Sequence, residues 1–292
     1  MKILTVFTPT YNRASLLPKL YESLCNQTKK DFVWLVVDDG SSDNTKDLIS
    51  EWKLQKKIDV QYHYKENGGM HTAHNTAYKI INTELNICID SDDYMPNNAV
   101  ELILNTWNKI ENKNNLAGII GLDTDISGNV IGTKIPENIT TGSLGDLYRK
   151  YNVTGDKKLV LRTEIVHNYP SYPEYSDEKL VPLGVLYMMI GKDFDFLYSN
   201  DVYCIVDYQA DGSSGTILKQ YIKSPRGFAY ARIMQIKYAD NLKDVFKAYI
   251  HLVSSAIFSK DLSLMWKDVN PLISIVALPL GILLNIWIRI KS

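Results

Sequence analysis

The sequence predicts an α/β fold built on a mostly parallel sheet with helices over both faces. Three observations carry this. The first 125 residues alternate strand-like and helix-like segments. The strand-like segments are apolar on both alternating faces, the pattern of strands buried from both sides. Polar residues gather directly after those strands. At 292 residues, with 45% hydrophobic and 22% charged content, the chain has ample core and an ordinary globular composition.

Residues 3–8 (ILTVFT) read as the first strand, and ASLLPKLYESLCNQ after it is helix-compatible. Residues 32–39 (FVWLVVDD) give the second strand. Ser41 or Ser42 then offers an N-cap, and Asp43 enters the first turn of a helix through residue 55. Residues 60–66 read as the third strand, 71–82 as a helix behind Gly68-Gly69, 85–90 as the fourth strand and 98–110 as another helix. Residues 116–123 close the series. Beyond it, 124–133 resembles a hairpin, 176–190 a helix, and 194–208 two strands turning at Ser199-Asn200. A glycine-serine loop at 211–215 precedes an amphipathic helical stretch over 228–258.

In parallel sheets ligands bind beyond the carboxyl ends of the strands. Four polar loops fall there: Thr8 to Arg13, Asp38 to Asp43, Glu66 to Gly69, and Asp90-Ser91-Asp92-Asp93. The last holds three carboxylates within four positions, which cannot all lie unpaired in a core. If the strand continues, alternation turns Asp90 and Asp92 to one side, where they can share a hard divalent cation. A solvated acidic turn is the plainer reading; its place as the fourth loop of one sheet edge favours the metal. Ser41 and Ser42 fit helix caps better than ligands, and Asp38 fits a capping turn. His71 and His74 share a helix face, three residues apart, but the usual helical zinc pair is spaced by four.

The motifs TPTYNR, VVDDGSSDNT, ENGGMHTAHNTA and IDSDDYMP, in this order, resemble family 2 glycosyltransferases of the GT-A fold. The resemblance is strong over residues 1–125 and can be followed to about 220. It implies a Rossmann-like mixed sheet and an inverting transfer from a nucleotide-sugar, with a UDP-sugar favoured. By the same resemblance Thr8, Pro9 and Tyr11 line the base, and Asp39 accepts from a pyrimidine imide N–H. Arg13 approaches a phosphate, and Asn67 and Gly68 bring backbone close to the nucleotide. His71, Asn75 and Ser91 lie near the donor. Asp92 binds Mn²⁺ or Mg²⁺, Asp90 reaches the ribose or the metal, and Asp93 supports the loop or shares the metal. Relatives often carry a lysine where this chain has Met70. The general base is expected at the start of a helix near 176–184, with Glu178 ahead of Asp177.

The formal charge of −1 conceals a division. Residues 221–292 carry ten Lys/Arg against four Asp, or +6; the first 220 carry 22 Lys/Arg against 29 Asp/Glu, or −7. Residues 271–288 hold only Ser274 and Asn285 as polar side chains, with Arg289 and Lys291 following. This predicts a catalytic domain over 1–220 and a membrane-associating tail over 221–292, monotopic because Pro279 argues against an uninterrupted span. The tail resembles the C-terminal helices of bacterial surface-polysaccharide enzymes, which implies capsular, exopolysaccharide or lipopolysaccharide synthesis. A lipid-linked saccharide acceptor at the cytoplasmic face of the inner membrane follows from that resemblance. Three scattered cysteines and an N-terminus that runs directly into a strand pattern fit a reduced, cytoplasmic setting. No aromatic stacking pattern suggests nucleic acid. Two other classes compete: a metal-dependent phosphatase or nucleotidyltransferase, and a catalytically silent nucleotide-sugar-binding module. Tyr94 stands where a dehalogenase-like phosphatase would want Thr or Val.

Overall fold

The structure, a computed structural model, describes residues 2–209, 217–239 and 241–292; the loop expected at 211–215 lies outside them. The chain divides into two compact units. One comprises Met1–Pro170 with Ile190–Gln209, the other Ser171–Met189 with the described part of Ala210–Ser292. The expected division at 220 therefore shifts: residues 171–189 belong with the tail.

The first unit begins β1 (Leu4–Thr10), α1 (Leu17–Cys25), β2 (Phe32–Asp38), α2 (Thr45–Gln55), β3 (Asp59–Tyr64), α3 (Met70–Ile80) and β4 (Leu85–Cys88). It continues through α4 (Ala99–Asn108), β5 (Leu116–Asp125), β6 (Thr141–Gly142), α5 (Leu144–Arg149), β7 (Lys157–Arg162) and α6 (Thr163–His167). After α7 (Gly184–Asp193), whose residues divide between the units, β8 (Asp195–Val206) completes one sheet ordered β3-β2-β1-β4-β7-β5-β8-β6. The strands β1 to β4 are mutually parallel; β1, β2 and β4 show the buried-both-faces pattern, and β3 is a largely exposed edge strand. β7 lies antiparallel between β4 and β5, and β5 pairs parallel with β8. The core joins Leu4, Val6, Trp34, Ile87, Ile103 and Trp107. Tyr21 of α1 stacks on Trp52 of α2 at 4.2 Å. Each fully buried apolar side chain contributes roughly 1.5–3 kcal/mol.

Residues 194–208 are one strand rather than two. The β5–β8 register shifts between Ile120/Tyr198 and Leu122/Val202, so residues 199–201 form a bulge and the chain does not reverse. The polar Ser-Asn-Asp signal marked an irregularity of that kind. Residues 157–162, in the stretch without a regular pattern, form an antiparallel strand that, with β6 against β8, makes the sheet mixed.

The second unit contains α8 (Ile217–Lys223), α9 (Pro225–Tyr238), α10 (Leu242–Ser259) and α11 (Pro271–Lys291). The helical stretch over 228–258 is thus two helices. α11 runs unbroken through Pro279, contrary to the expected interruption. Its inward face carries Ser274, Ala277, Gly281, Asn285 and Ile288. There Asn285 donates to the Ser254 carbonyl at 3.2 Å. A side chain at Gly281 would meet Val253 of α10 at 2.4 Å, so the close approach requires glycine. The outward face exposes Leu272, Ile275, Val276, Leu283, Trp287 and Ile290. Small and polar inside with large apolar outside is the reverse of a soluble helix.

Candidate active site

The carboxyl ends of β1 and β2 are tied by hydrogen bonds that explain their polar residues. Asn12, at φ 51°, accepts from the Ser42 backbone N–H at 2.8 Å, and its own N–H donates to Ser41 Oγ at 2.9 Å. Asp43 accepts from the Ala14 N–H at 3.0 Å and from the Thr45 N–H and hydroxyl. Asp38 accepts from the Ser41 N–H at 2.8 Å and the Tyr62 hydroxyl at 2.7 Å, the capping role the sequence suggests. Tyr62 is pushed beyond the ordinary tyrosine range by burial and by that carboxylate. Gly40, at φ +86°, lies so close to Asn67 that an added Cβ would sit 2.8 Å from the Asn67 nitrogen.

Asp39 knots the second loop to the third. Its carboxylate accepts from Lys65 Nζ at 2.7 Å, the Gly68 N–H at 2.9 Å, the Gly69 N–H at 2.7 Å and Asn67 Nδ2 at 3.2 Å. The group expected to read a base is therefore engaged in shaping the Asn67–Gly69 loop. Lys65, which lay inside a strand segment in the sequence, is a half-buried member of this knot and also donates to Thr72 Oγ1 at 2.7 Å.

Thr8 and Pro9 are buried within β1, and Thr8 accepts from Trp34 Nε1 at 3.0 Å; Tyr11 is 49% exposed. Of the three residues expected at the base, Tyr11 is the accessible one. Arg13 is half-buried ahead of α1. His71 and His74 are buried in α3, and Asn75 is half-buried. His74 lies 3.3 Å from the Tyr78 hydroxyl and 3.6 Å from Cys88 Sγ. Burial lowers its pKa to about 4, so it is a neutral packing group. Burial pushes the Cys88 and Cys204 thiols well up, away from thiolate chemistry.

The acidic loop is a turn. β4 ends at Cys88, and the Asp93 N–H donates to the Asp90 carbonyl at 3.1 Å. Strand alternation therefore does not set Asp90 and Asp92 on one side. Both are half-buried, whereas Ser91 and Asp93 are buried. Asp93 accepts from the Asp207 N–H at 3.2 Å and from Cys204 Sγ at 3.6 Å. Together with the Tyr94–Ile205 backbone pair, this moors the loop to β8. Burial first, and the neighbouring Asp90 charge, raise the Asp93 pKa to about 7 against the pull of Lys158. These contacts tie Asp93 to β8 and the residue after it.

Lys158 of β7 is a cation that no spacing rule could reveal. It faces Asp123 at 3.9 Å. Burial would lower its pKa, but Cys204 and the Asp123, Asp90 and Asp93 carboxylates outweigh it and push the value well above the ordinary one. Among the described residues no group of three or more His, Cys, Asp or Glu is placed to hold a metal. Asp90 and Asp92 nonetheless suit a hard cation, because Mg²⁺ sites commonly use one or two carboxylates and take their other ligands from substrate phosphates and water. The donor set fits.

In the second unit, α7 starts at Gly184, so Glu178 does not begin the helix expected at 176. It caps α9 instead. Its carboxylate accepts from the Arg226 N–H at 3.0 Å, Arg226 Nε at 2.9 Å and the Gly227 N–H at 2.8 Å, with its side chain 4% exposed. Asp177 accepts from the other arm of Arg226 and is 71% exposed. The two adjacent carboxylates are a structural anchor and an accessible acid.

The sequence pattern described as Glycosyl transferase family 2 matches residues 5–161. An uncharacterized glycosyltransferase of Rickettsia bellii is 36% identical over 100 residues, which is 34% of this chain and 14% of that protein. The poly(ribitol-phosphate) beta-glucosyltransferase of Bacillus spizizenii is 34% identical over 103 residues, 34% of this chain and 16% of that protein. The chain thus matches only a minor part of these curated relatives' lengths. Among solved structures, TarS 1–349 of S. aureus in complex with UDP-GlcNAc superposes with TM-score 0.60 at 16% identity, covering 94% of this chain and 89% of that one. The mannosyltransferase PcManGT of Pyrobaculum calidifontis, in complex with GDP-Man and Mn²⁺, gives 0.56 at 15% identity over 97% and 87%. Both likenesses are of fold.

Proposed function

The chain belongs to glycosyl transferase family 2, and on that premise we propose that it is an inverting transferase carrying a hexosyl or N-acetylhexosaminyl group. The donor is a nucleotide-sugar, a UDP-sugar by preference, and the acceptor a lipid-linked saccharide of bacterial surface polysaccharide synthesis. The observation that carries this reading is the interlocked set of loops after β1, β2 and β3, with the acidic turn after the neighbouring β4.

Tyr11 stacks on the base, and Asp39 reads its imide N–H by exchanging the Asn67 amide. Arg13, Gly68, His71, Asn75 and Ser91 border the donor. Asp92 and Asp90 would hold Mn²⁺ or Mg²⁺, which would supply charge neutralisation for the diphosphate of the leaving group. Asp93 and Lys158 keep the acidic turn in shape. We assign the base to Asp177 ahead of Glu178, because Asp177 is accessible and Glu178 is committed to α9. Asp177 takes the acceptor hydroxyl proton. The oxygen bonds to the anomeric carbon as the bond to the diphosphate breaks, and the nucleoside diphosphate leaves with the electron pair.

The outward apolar face of α11 supports membrane attachment, which we place at the cytoplasmic face of the inner membrane. The helix has 21 residues, and an 18-residue window of it has a mean hydropathy of 2.1. Its length of about 31 Å matches a hydrocarbon core of about 30 Å. Deleting residues 271–292 is expected to move the protein from the membrane to the soluble fraction; unchanged partitioning would count against this part.

The experiment is a panel of UDP-, GDP- and TDP-sugars with Mn²⁺ or Mg²⁺, scored by thermal shift and donor hydrolysis. Stabilisation by at least one nucleotide-sugar with metal is expected. Its absence across the panel, or phosphate release from simple monoesters without an acceptor, would overturn the transferase reading.

A further inference from the structure

We propose that the first unit carries a second anion site, suited to phosphate esters, at the sheet edge opposite the donor loops. A cleft of about 420 Å³ there is lined by Lys2, Lys30, Lys53, Lys56, Lys57 and Asp59. Its floor is apolar, formed by Ile58 and Val60.

Sheet register assembles it. Leu4 pairs with Phe32, and Val33 with Asp59. The starts of β1, β2 and β3 therefore lie side by side, about 4.8 Å apart. Lys2 and Lys30 precede the first two, and Lys56 and Lys57 come from the turn between α2 and β3. Lys53, in the last turn of α2, adds a charge from above.

Part of this charge has a structural duty. Lys2 pairs with Asp59 at 3.2 Å, and Lys30 donates to the Leu24 and Cys25 carbonyls at the end of α1. Lys53 and Lys56 sit at the C-terminal end of α2, where the helix dipole favours cations. These duties do not balance the cleft. Five lysines face one carboxylate, and a concave surface of one sign concentrates counter-ions of the other. The size is within the range of small-ligand sites. β1 has seven residues, so the donor edge is roughly 20 Å away, too far for one nucleotide diphosphate to serve both ends. The ligand is a separate phosphate ester, either a free polyol phosphate or the headgroup of an anionic lipid.

The test uses the full chain and the K53Q/K56Q/K57Q variant, with K53Q/K57Q as a second variant that leaves the left-handed Lys56 untouched. Glycerol 1-phosphate binding is measured by calorimetry at low and high salt. Sedimentation is measured with phosphatidylcholine vesicles with and without phosphatidylglycerol. The wild type is expected to bind glycerol 1-phosphate, or to gain affinity when phosphatidylglycerol is added, in a salt-sensitive way. The triple variant should lose about tenfold or more in whichever arm responds. A response confined to glycerol 1-phosphate identifies a free polyol phosphate, and one confined to phosphatidylglycerol a lipid headgroup. No response in either arm, or equal responses from wild type and both variants, overturns the site. Metal-dependent UDP-sugar binding, measured on the same samples, should be unchanged, which separates this outcome from failure of the transferase reading.

Discussion

Asp177 and Glu178 are neighbours in sequence with opposite surroundings, and that contrast can be tested directly. Glu178→Gln removes a buried charge from three donors at the start of α9 and should cost about 1–3 kcal/mol, read as a lowered Tm. Asp177→Asn removes only an exposed ion pair, so its Tm should stay within a degree or two. It should instead lower transfer about 10²-fold or more. The reverse pattern would return the base role to Glu178. Asp93 offers a pH test. Its folded pKa of about 7 lies above the ordinary 3.8, so the folded state holds the proton more tightly. Stability in metal-free buffer should therefore fall as pH rises from about 4 to 7. Asp93→Asn keeps an acceptor for the Asp207 N–H and removes that titration. Its Tm advantage over the wild type should widen from pH 5 to pH 8, and a constant gap would contradict the assignment. The acidic turn was legible because three carboxylates interrupt an apolar run. What holds Asp93 was not, since Cys204 and Asp207 lie more than a hundred residues away. Asp39 stood out as a candidate for its place at a strand end, whereas its capture of two backbone N–H groups depends on a loop the sequence does not shape.

Secondary elements divide along the same physical line. The helices through residue 125 were readable from their apolar period, and β1, β2, β4 and β5 from their apolar runs. The expected Ser41 or Ser42 cap is not made: α2 starts at Thr45 behind Asn44 without a side-chain cap. β7 was not readable, because KKLVLR mixes charge and apolar residues, and its place between β4 and β5 is decided by tertiary pairing. Pro279 shows a local rule overruled. Proline removes a helix hydrogen bond at a cost of about 3 kcal/mol in water, yet α11 is continuous there. The α10–α11 contact rests on Gly281. Gly281→Leu would drive its side chain into Val253 and the Ile250 carbonyl, and should destabilise the pair by about 1–3 kcal/mol. Limited proteolysis between residues 260 and 270 should accelerate in that variant, while the melting of the sheet unit stays in place. Unchanged cleavage would mean the helices do not depend on this approach.

At the scale of the molecule, the charge division seen in composition corresponds only in part to the two units. The basic, apolar tail is one unit's substance, but that unit also takes residues 171–189 and with them both candidate bases. Sequence order hid this because the segment returns to the sheet unit through α7. We infer that the acidic turn at Asp90–Asp92 and a divalent cation together bind a nucleoside diphosphate. Calorimetric titration of UDP into wild type and Asp92→Asn, each with Mn²⁺ and with chelator, is the test. Wild-type affinity is expected to fall about tenfold or more on chelation, and the variant, still folded, to bind weakly whether or not Mn²⁺ is present. Equal, Mn²⁺-dependent binding by Asp92→Asn and wild type would contradict it.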